Sequence, residues 1–477
     1  MGSGRTGAGP GLQFRQGGLQ AVRLSTQNAG KLPGDVSRPG YDRTQPVGIV
    51  HFGIGAFHRA HQAAYTDACL RAGETGWMIA GVSMRSATVA DQLNPQDGLY
   101  TLTVRSAGEN TALIGSVVEV LVAASDREAI VTRLASPECH LVTFTVTEKG
   151  YCRAPDGSLD FAAAKDGFHP ILCEALARRR DAGLPGLSLL SCDNLSGNGK
   201  QLRRLMLEWI DAEAADLRGW FEGNCTTPDS MVDRIVPSSS AADLDDLEQR
   251  IGMRDEGAVF TEAFTQWVIE DDFAGPHPRW EEHGVQIVSD VAPFETAKLR
   301  MLNGAHSLLA YAALDHGHTF VHEAIADERL RQLVQQLMME EAAPTIAAGE
   351  GQDLDTYGAE LIERFENAAL NHRLAQIAMD GSQKIGQRWL ETLAIQQKRG
   401  NCCEAILTGI AHWLHHVSGD VRKVEDPQAA ALREIWQQAG KQGIVEAVFG
   451  AGGPLQSDWM PDESEIAFID ETLRHLR

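Results

Sequence analysis

The 477-residue chain contains no apolar run approaching the ~18 residues that a bilayer crossing needs, so the sequence excludes a membrane-spanning helix. It has no basic run either. Its 42 lysines and arginines stand against 65 acidic residues, and the net charge of −23 is spread along the chain. That balance repels polyanions and argues against nucleic-acid or anionic-membrane partners. The eight cysteines, at 69, 139, 152, 173, 192, 225, 402 and 403, show no CxxC spacing, which excludes a disulfide framework or structural zinc site and points to the reducing cytosol. A helical HExxH or Cys/His cluster is missing too, so if the chain oxidises alcohols, a side chain and not zinc must do the proton chemistry. The opening "MGSGRTGAGPGLQFRQGG" lacks the apolar centre of a secretory signal and reads as a flexible leader over residues 1–40.

What is present begins at Pro46. Apolar stretches of strand length ("VGIVHF", "WMIAGVSM", "HLVTFTVT", "LSLLSC") alternate with helical ones as far as Ser196. This is the pattern of a doubly wound parallel α/β sheet. From Glu295 onward the periodicity is helical almost throughout, with a Gly- and Pro-rich junction near residue 290. At this length two domains are expected: a Rossmann-type dinucleotide-binding domain over 41–290 and a mostly α-helical substrate and catalytic domain over 291–477.

"IVHFGIGAFHRAHQ" sets Gly53 and Gly55 between an apolar strand and a helix beginning near Arg59. Such a turn, here Gly53-Ile54-Gly55-Ala56-Phe57, brings backbone N–H groups against a pyrophosphate. The third glycine of the usual fingerprint is replaced by His58. At the end of the second strand, where an acid would grip an NAD ribose, the chain reads "GVSMRSAT", and Arg85 suits a 2′-phosphate. NAD and NADP are both compatible with these residues.

"ETAKLRMLNGAHSLLAY" poses a different problem. At 100° per residue, Glu295, Lys298, Asn303 and His306 fall within an arc of about 140° that also holds Leu299, Leu302 and Leu309. Charges among leucines are either buried with partners or line a cleft.

Read together, "GIGAFHRAHQAAY", "VTEKGYC", "SCDN", "MVDRIVP", "QWVIEDDF", "KLRMLNGAHSLLAY" and "IAMDGSQK" resemble the polyol-specific long-chain dehydrogenase/reductase (mannitol dehydrogenase) family, and most of all its fructuronate reductase (D-mannonate oxidoreductase) branch. The resemblance runs from about Tyr41 to Trp389. It implies a Rossmann-type domain, a helical C-terminal domain, a nicotinamide cofactor, NAD in the first place, and no metal. It also implies that Lys298, Asn303 and His306 are catalytic, and it assigns a second active-site asparagine to Asn194.

The residues allow that chemistry. Hydride transfer from a secondary alcohol needs a base for the hydroxyl proton and donors for the developing alkoxide. Lys298 is the candidate base, its pKa lowered by an apolar helix face and a cationic nicotinamide. Glu295, one turn earlier, opposes that shift or relays the proton. Asn303 and Asn194 offer neutral amide donors from the two domains, and His306 orients a hydroxyl. Asp233 either accepts from further hydroxyls or forms a structural pair with its neighbour Arg234. Arg373 and Lys384 are the candidate cations for a carboxylate or remote hydroxyls. The expected activity is the interconversion of D-fructuronate and D-mannonate. The alternatives are a mannitol- or arabinitol-type polyol 2-dehydrogenase and, in another class, a non-catalytic nucleotide-binding regulator.

Overall fold

The computed structural model describes residues 22–106 and 108–476. Its first half is built on five parallel strands, β1 (Val47–Phe52), β2 (Met78–Ser83), β3 (Val117–Val122), β4 (Leu141–Phe144) and β5 (Ser188–Ser191), ordered β3-β2-β1-β4-β5 in space. The strands read as continuous apolar runs because both faces of the sheet are covered. On β1, Ile49 packs with Met78 and Leu141, whereas Val50 and Phe52 enter a separate cluster with Val142 and Phe144. The chain winds outward on one side of β1 and then returns to lay β4 and β5 on the other. A crevice therefore opens at the carboxyl ends of β1 and β4, where sheets of this type bind ligands.

Two small sheets that lie outside the βα alternation extend this half. Tyr100–Arg105 pairs with Glu109–Ile114 and with Val259–Glu262; Ser230–Asp233 pairs with Gln266–Glu270, which also takes Gln286–Val288. They matter because Asp233 and Glu262 are the last residues of their strands. The expected flexible leader over 1–40 does not hold for its second half. Its residues 1–21 lie outside the described residues, but Leu24, Leu32 and Val36 are buried with Leu99, Leu113 and Phe260. Three apolar side chains spaced through a polar stretch suffice to anchor residues 22–40.

From Ala292 onward the chain is helical. Gly304–Asp315 is the central helix, buried from Gly304 to Ala313, and it packs on Glu404–Val417. The buried cluster around it runs from Ala297 to Leu473, so the helical half owns its core. Widened π segments interrupt these helices at Lys298–Asn303, Gln336–Ala342 and Gly386–Leu390, and the first packs against the other two. Among the described residues no helix is long and apolar enough to cross a membrane.

Candidate active site

A cleft of about 710 Å³ lies between the strand ends of the sheet half and the helical half. The loop after β5 brings Asn194, the strand Ser230–Asp233 supplies one wall, and Glu295, Lys298, Asn303 and His306 line the opposite one together with Leu299 and Leu302. Leu309 does not join them; it is buried in the helical core. The π segment explains both facts. In a regular helix Lys298 and Asn303, five residues apart, would stand about 140° apart. The extra residue in the widened turn swings them toward the same side and rotates the helix beyond Asn303, a distortion common at functional sites.

Lys298 Nζ donates to Oδ1 of Asn194 and to the carbonyl of Val232, each at 2.6 Å. These two contacts join the halves of the molecule. They also orient Asn194, whose Oδ1 is occupied and whose amide N–H groups are left for a ligand. Burial pushes the Lys298 pKa below the usual lysine value; Arg364 and Arg388 push the same way, and Asp233 and Glu295 oppose them. Glu295 is itself raised by its own burial, with Ser196 and Gly197 pulling it down. His306 sits between Phe365 and His372, with ring centroids 4.8 and 5.2 Å away. Burial holds its pKa well below the ordinary histidine value, so the ring is neutral at physiological pH.

Asp233 does not pair with Arg234, which instead donates to the carbonyls of Ala60 and Glu262. Its partner is Arg364, from the helix Leu354–Phe365. Arg364 grips Asp233 through Nη1 (2.6 Å) and Nη2 (3.0 Å), and the same guanidinium holds Glu262 through Nε (2.8 Å) and Nη2 (2.7 Å). All three side chains are buried, so this is an interdomain charge cluster unlike an exposed pair of little worth. Burial alone would raise the Asp233 pKa, but Arg364 and Lys298 outweigh it and hold the carboxyl below the usual aspartate value. Sequence reasoning missed Arg364. Its signal was an arginine on the stripe Tyr357, Leu361, Arg364, Phe365, which is otherwise the buried face of its helix.

The predicted cations separate. Arg373 is exposed at the start of a short helix, its guanidinium over the Phe320 ring at 5.2 Å, and it is not part of the cleft lining. Lys384 does line the cleft, with Nζ donating to the Met379 carbonyl at 2.5 Å. The helix Gly381–Ile385 that carries it continues into the π segment, which brings a further cation, Arg388, onto the cleft wall.

At the other end of the crevice, Gly53 follows β1 with φ +96°, and a Cβ there would fall 2.1 Å from the Thr145 carbonyl oxygen. A Cβ on Gly81 would collide with Ile54, whose side chain is buried against β2 and offers a ligand only its backbone. A Cβ on Gly55 would meet only the Gly53 carbonyl oxygen, at 3.8 Å, and the helix starts at Ala56, earlier than the sequence suggested. This cradle fits a dinucleotide backbone. Where a third glycine would bring helix and strand together, His58 stacks flat on His51 with centroids 3.4 Å apart. His51 contacts the hydroxyls of Thr143 (2.7 Å) and Thr145 (2.8 Å), and Thr145 donates to the Gly53 carbonyl (2.7 Å), which fixes the turn. Arg85 is exposed just beyond β2.

A parallel sheet with this strand order, joined through an amine–amide contact to a helical domain, defines a Rossmann-type protein of two unlike halves. Comparison with known families makes the assignment specific: residues 47–282 match the mannitol dehydrogenase Rossmann domain and residues 290–452 the mannitol dehydrogenase C-terminal domain. The chain belongs to the mannitol dehydrogenase family, oxidoreductases acting on CH–OH groups. It is 40% identical over 452 residues to the uncharacterized oxidoreductase YeiQ of Escherichia coli, covering 90% of this chain and 92% of the relative. It is 38% identical over 456 residues to the D-mannonate oxidoreductase of Escherichia coli, covering 90% and 93%. Among solved structures it resembles the Pseudomonas fluorescens mannitol 2-dehydrogenase in ternary complex with NAD and D-mannitol, at 32% identity and a TM-score of 0.79, covering 95% of this chain and 97% of that one.

Proposed function

We propose that this protein is an NAD(H)-dependent, metal-independent oxidoreductase that interconverts D-fructuronate and D-mannonate. The reading rests on the Lys298 amine, held at 2.6 Å by Asn194 and Val232, in a cleft whose wall also carries the cations Lys384 and Arg388. In the oxidative direction neutral Lys298 accepts the hydroxyl proton, while the amides of Asn194 and Asn303 donate to the oxygen as it becomes a carbonyl. Glu295 passes the proton on toward water. His306 and Asp233 orient neighbouring hydroxyls, and the leucines keep water away from the base. In reduction Lys298 returns the proton. A bound nicotinamide would supply the hydride acceptor and donor, and the backbone of the Gly53-Ile54-Gly55-Ala56-Phe57 turn would hold its pyrophosphate. The similarity to an NAD complex supports NAD.

Keto-uronates and ketohexoses assayed with NADH and NADPH, followed by cofactor absorbance, test the assignment. D-fructuronate with NADH is expected to give the highest kcat/KM. Arg85 sharpens the cofactor half of that expectation, because no acid stands at the end of β2 to repel a 2′-phosphate. NADH is expected to bind more tightly than NADPH; a clear NADPH preference that disappears in Arg85→Ala would overturn the choice. A second reading, a neutral polyol 2-dehydrogenase, draws on the likeness to the mannitol complex, and a wild type that prefers fructose would establish it.

A further inference from the structure

The cleft wall holds a cation without a counter-ion. Arg364 is spent on Asp233 and Glu262, Lys298 is engaged by Asn194 and Val232, and Lys384 donates to a carbonyl with Asp380 and Asp426 nearby. Arg388 differs. Its Nη1 donates to the Ser307 hydroxyl at 2.8 Å and, more weakly, to the Asn303 carbonyl at 3.4 Å. Among the described residues its Nε and Nη2 have no hydrogen-bond partner and no carboxylate pairs with it. Asp380, the nearest acid along this stretch to line the cleft, acts on Lys384 and not on Arg388. Burial depresses the Arg388 pKa to about 10, offset only by Tyr311, so the group stays charged at neutral pH and bears the cost of being partly desolvated without a partner.

A guanidinium on the lining of a cleft, held through Nη1 and with Nε and Nη2 free of partners among the described residues, is half of a fork. The other half is a planar anion, since two parallel N–H groups match the two oxygens of a carboxylate in a way that an ammonium cannot. We infer that Arg388 docks the carboxylate of the substrate, with Ser307 as the residue that fixes its orientation, and that this contact selects aldonates and keto-uronates over neutral polyols and ketoses. The inference rests on the oxidoreductase reading above and deepens it. Ser307 lies one residue beyond His306 and four beyond Asn303, so the anchor and the reacting end of the substrate are set by a single helix. A carboxylate held there fixes the far end of the sugar acid while its carbonyl meets Lys298.

The test compares wild type with Arg388→Met and Arg388→Lys, each with NADH, in steady-state reduction of D-fructuronate and D-fructose. Calorimetric binding of D-mannonate and D-mannitol to the enzyme–NADH complex accompanies it, since neither alcohol reacts with the reduced cofactor. For Arg388→Met, the ratio of kcat/KM for fructuronate to that for fructose is expected to fall about 100-fold, the loss carried mainly by KM, because one partner of a desolvated charge pair is gone. Mannonate binding should weaken in parallel. Arg388→Lys, which keeps the charge and loses the fork, is expected to fall about tenfold, and it carries the test should the methionine variant not fold. Equal losses on both substrates in a wild type that favours fructuronate would overturn the role of Arg388 and leave the uronate reading standing. A wild type that favours fructose would remove that reading, and the inference with it.

Discussion

Replacing Lys298 by alanine is expected to lower turnover by about 10²–10⁴-fold, the range carried by a general acid or base, while cofactor affinity changes little. The side chain meets Asn194 and Val232, and the cleft it lines includes no residue of the glycine turn after β1 that fits a pyrophosphate. A pH profile gives the same residue a second, independent readout. Burial, helped by Arg364 and Arg388, holds the Lys298 pKa below the usual lysine value, and only the neutral amine accepts a proton. Wild-type oxidation should therefore rise with pH through that lowered pKa, and reduction, which needs the protonated form, should fall through it. In Lys298→Ala both limbs vanish, and an added primary amine restores part of the oxidation. Turnover near the wild-type value at neutral pH would remove Lys298 from the mechanism.

Arg364→Met is expected to cost the most stability of any single change in the cleft. The substitution keeps an apolar side chain of comparable length but abandons two buried carboxylates, Asp233 and Glu262, that the guanidinium now holds by four hydrogen bonds. Removing one partner from a buried ion pair costs about 3–5 kcal/mol, and here the stranded charges belong to the sheet half while the lost cation belongs to the helical half. Thermal melting should shift downward, and turnover should fall as Asp233 loses its fixed orientation. Neutralising the acids as well, in Arg364→Met/Asp233→Asn/Glu262→Gln, should recover most of the melting temperature and none of the activity, which separates charge burial from a packing defect. A single variant that melts and turns over like the wild type would show that the cluster is neither a clamp nor a positioning device.

Several of these features are legible in the order of residues alone. The strands are continuous apolar runs because both their faces are covered, and that signal survives without tertiary knowledge. The Gly53 turn is legible because a left-handed φ with no room for a Cβ leaves one residue type. Lys298, Asn303 and His306 are legible because polar groups on a leucine face demand an explanation, either burial with partners or a cleft, and the structure decides for the cleft. Asn194 was reached through resemblance, since an exposed asparagine in a loop has many ordinary uses.

Other features depend on partners far away in the chain, and no local pattern encodes distance in space. The flexible leader failed at Leu24, Leu32 and Val36 because their anchoring residues lie some 60 to 240 positions later. Asp233 was given its neighbour Arg234, although its partner Arg364 stands 131 residues away. Arg373 and Arg388 flank the same block; the sequence pointed to Arg373 and passed over Arg388, and the fold places the first over the Phe320 ring and the second on the cleft wall. The sequence by itself determined a two-part chain with a parallel sheet, a glycine turn and a helix face that mixes polar groups with leucines, because those arise from periodicity and steric limits local to a few residues. The tertiary structure alone decided which charges are paired and which is left facing the cleft, because desolvation and counter-ion distance exist only once the two halves have closed on each other.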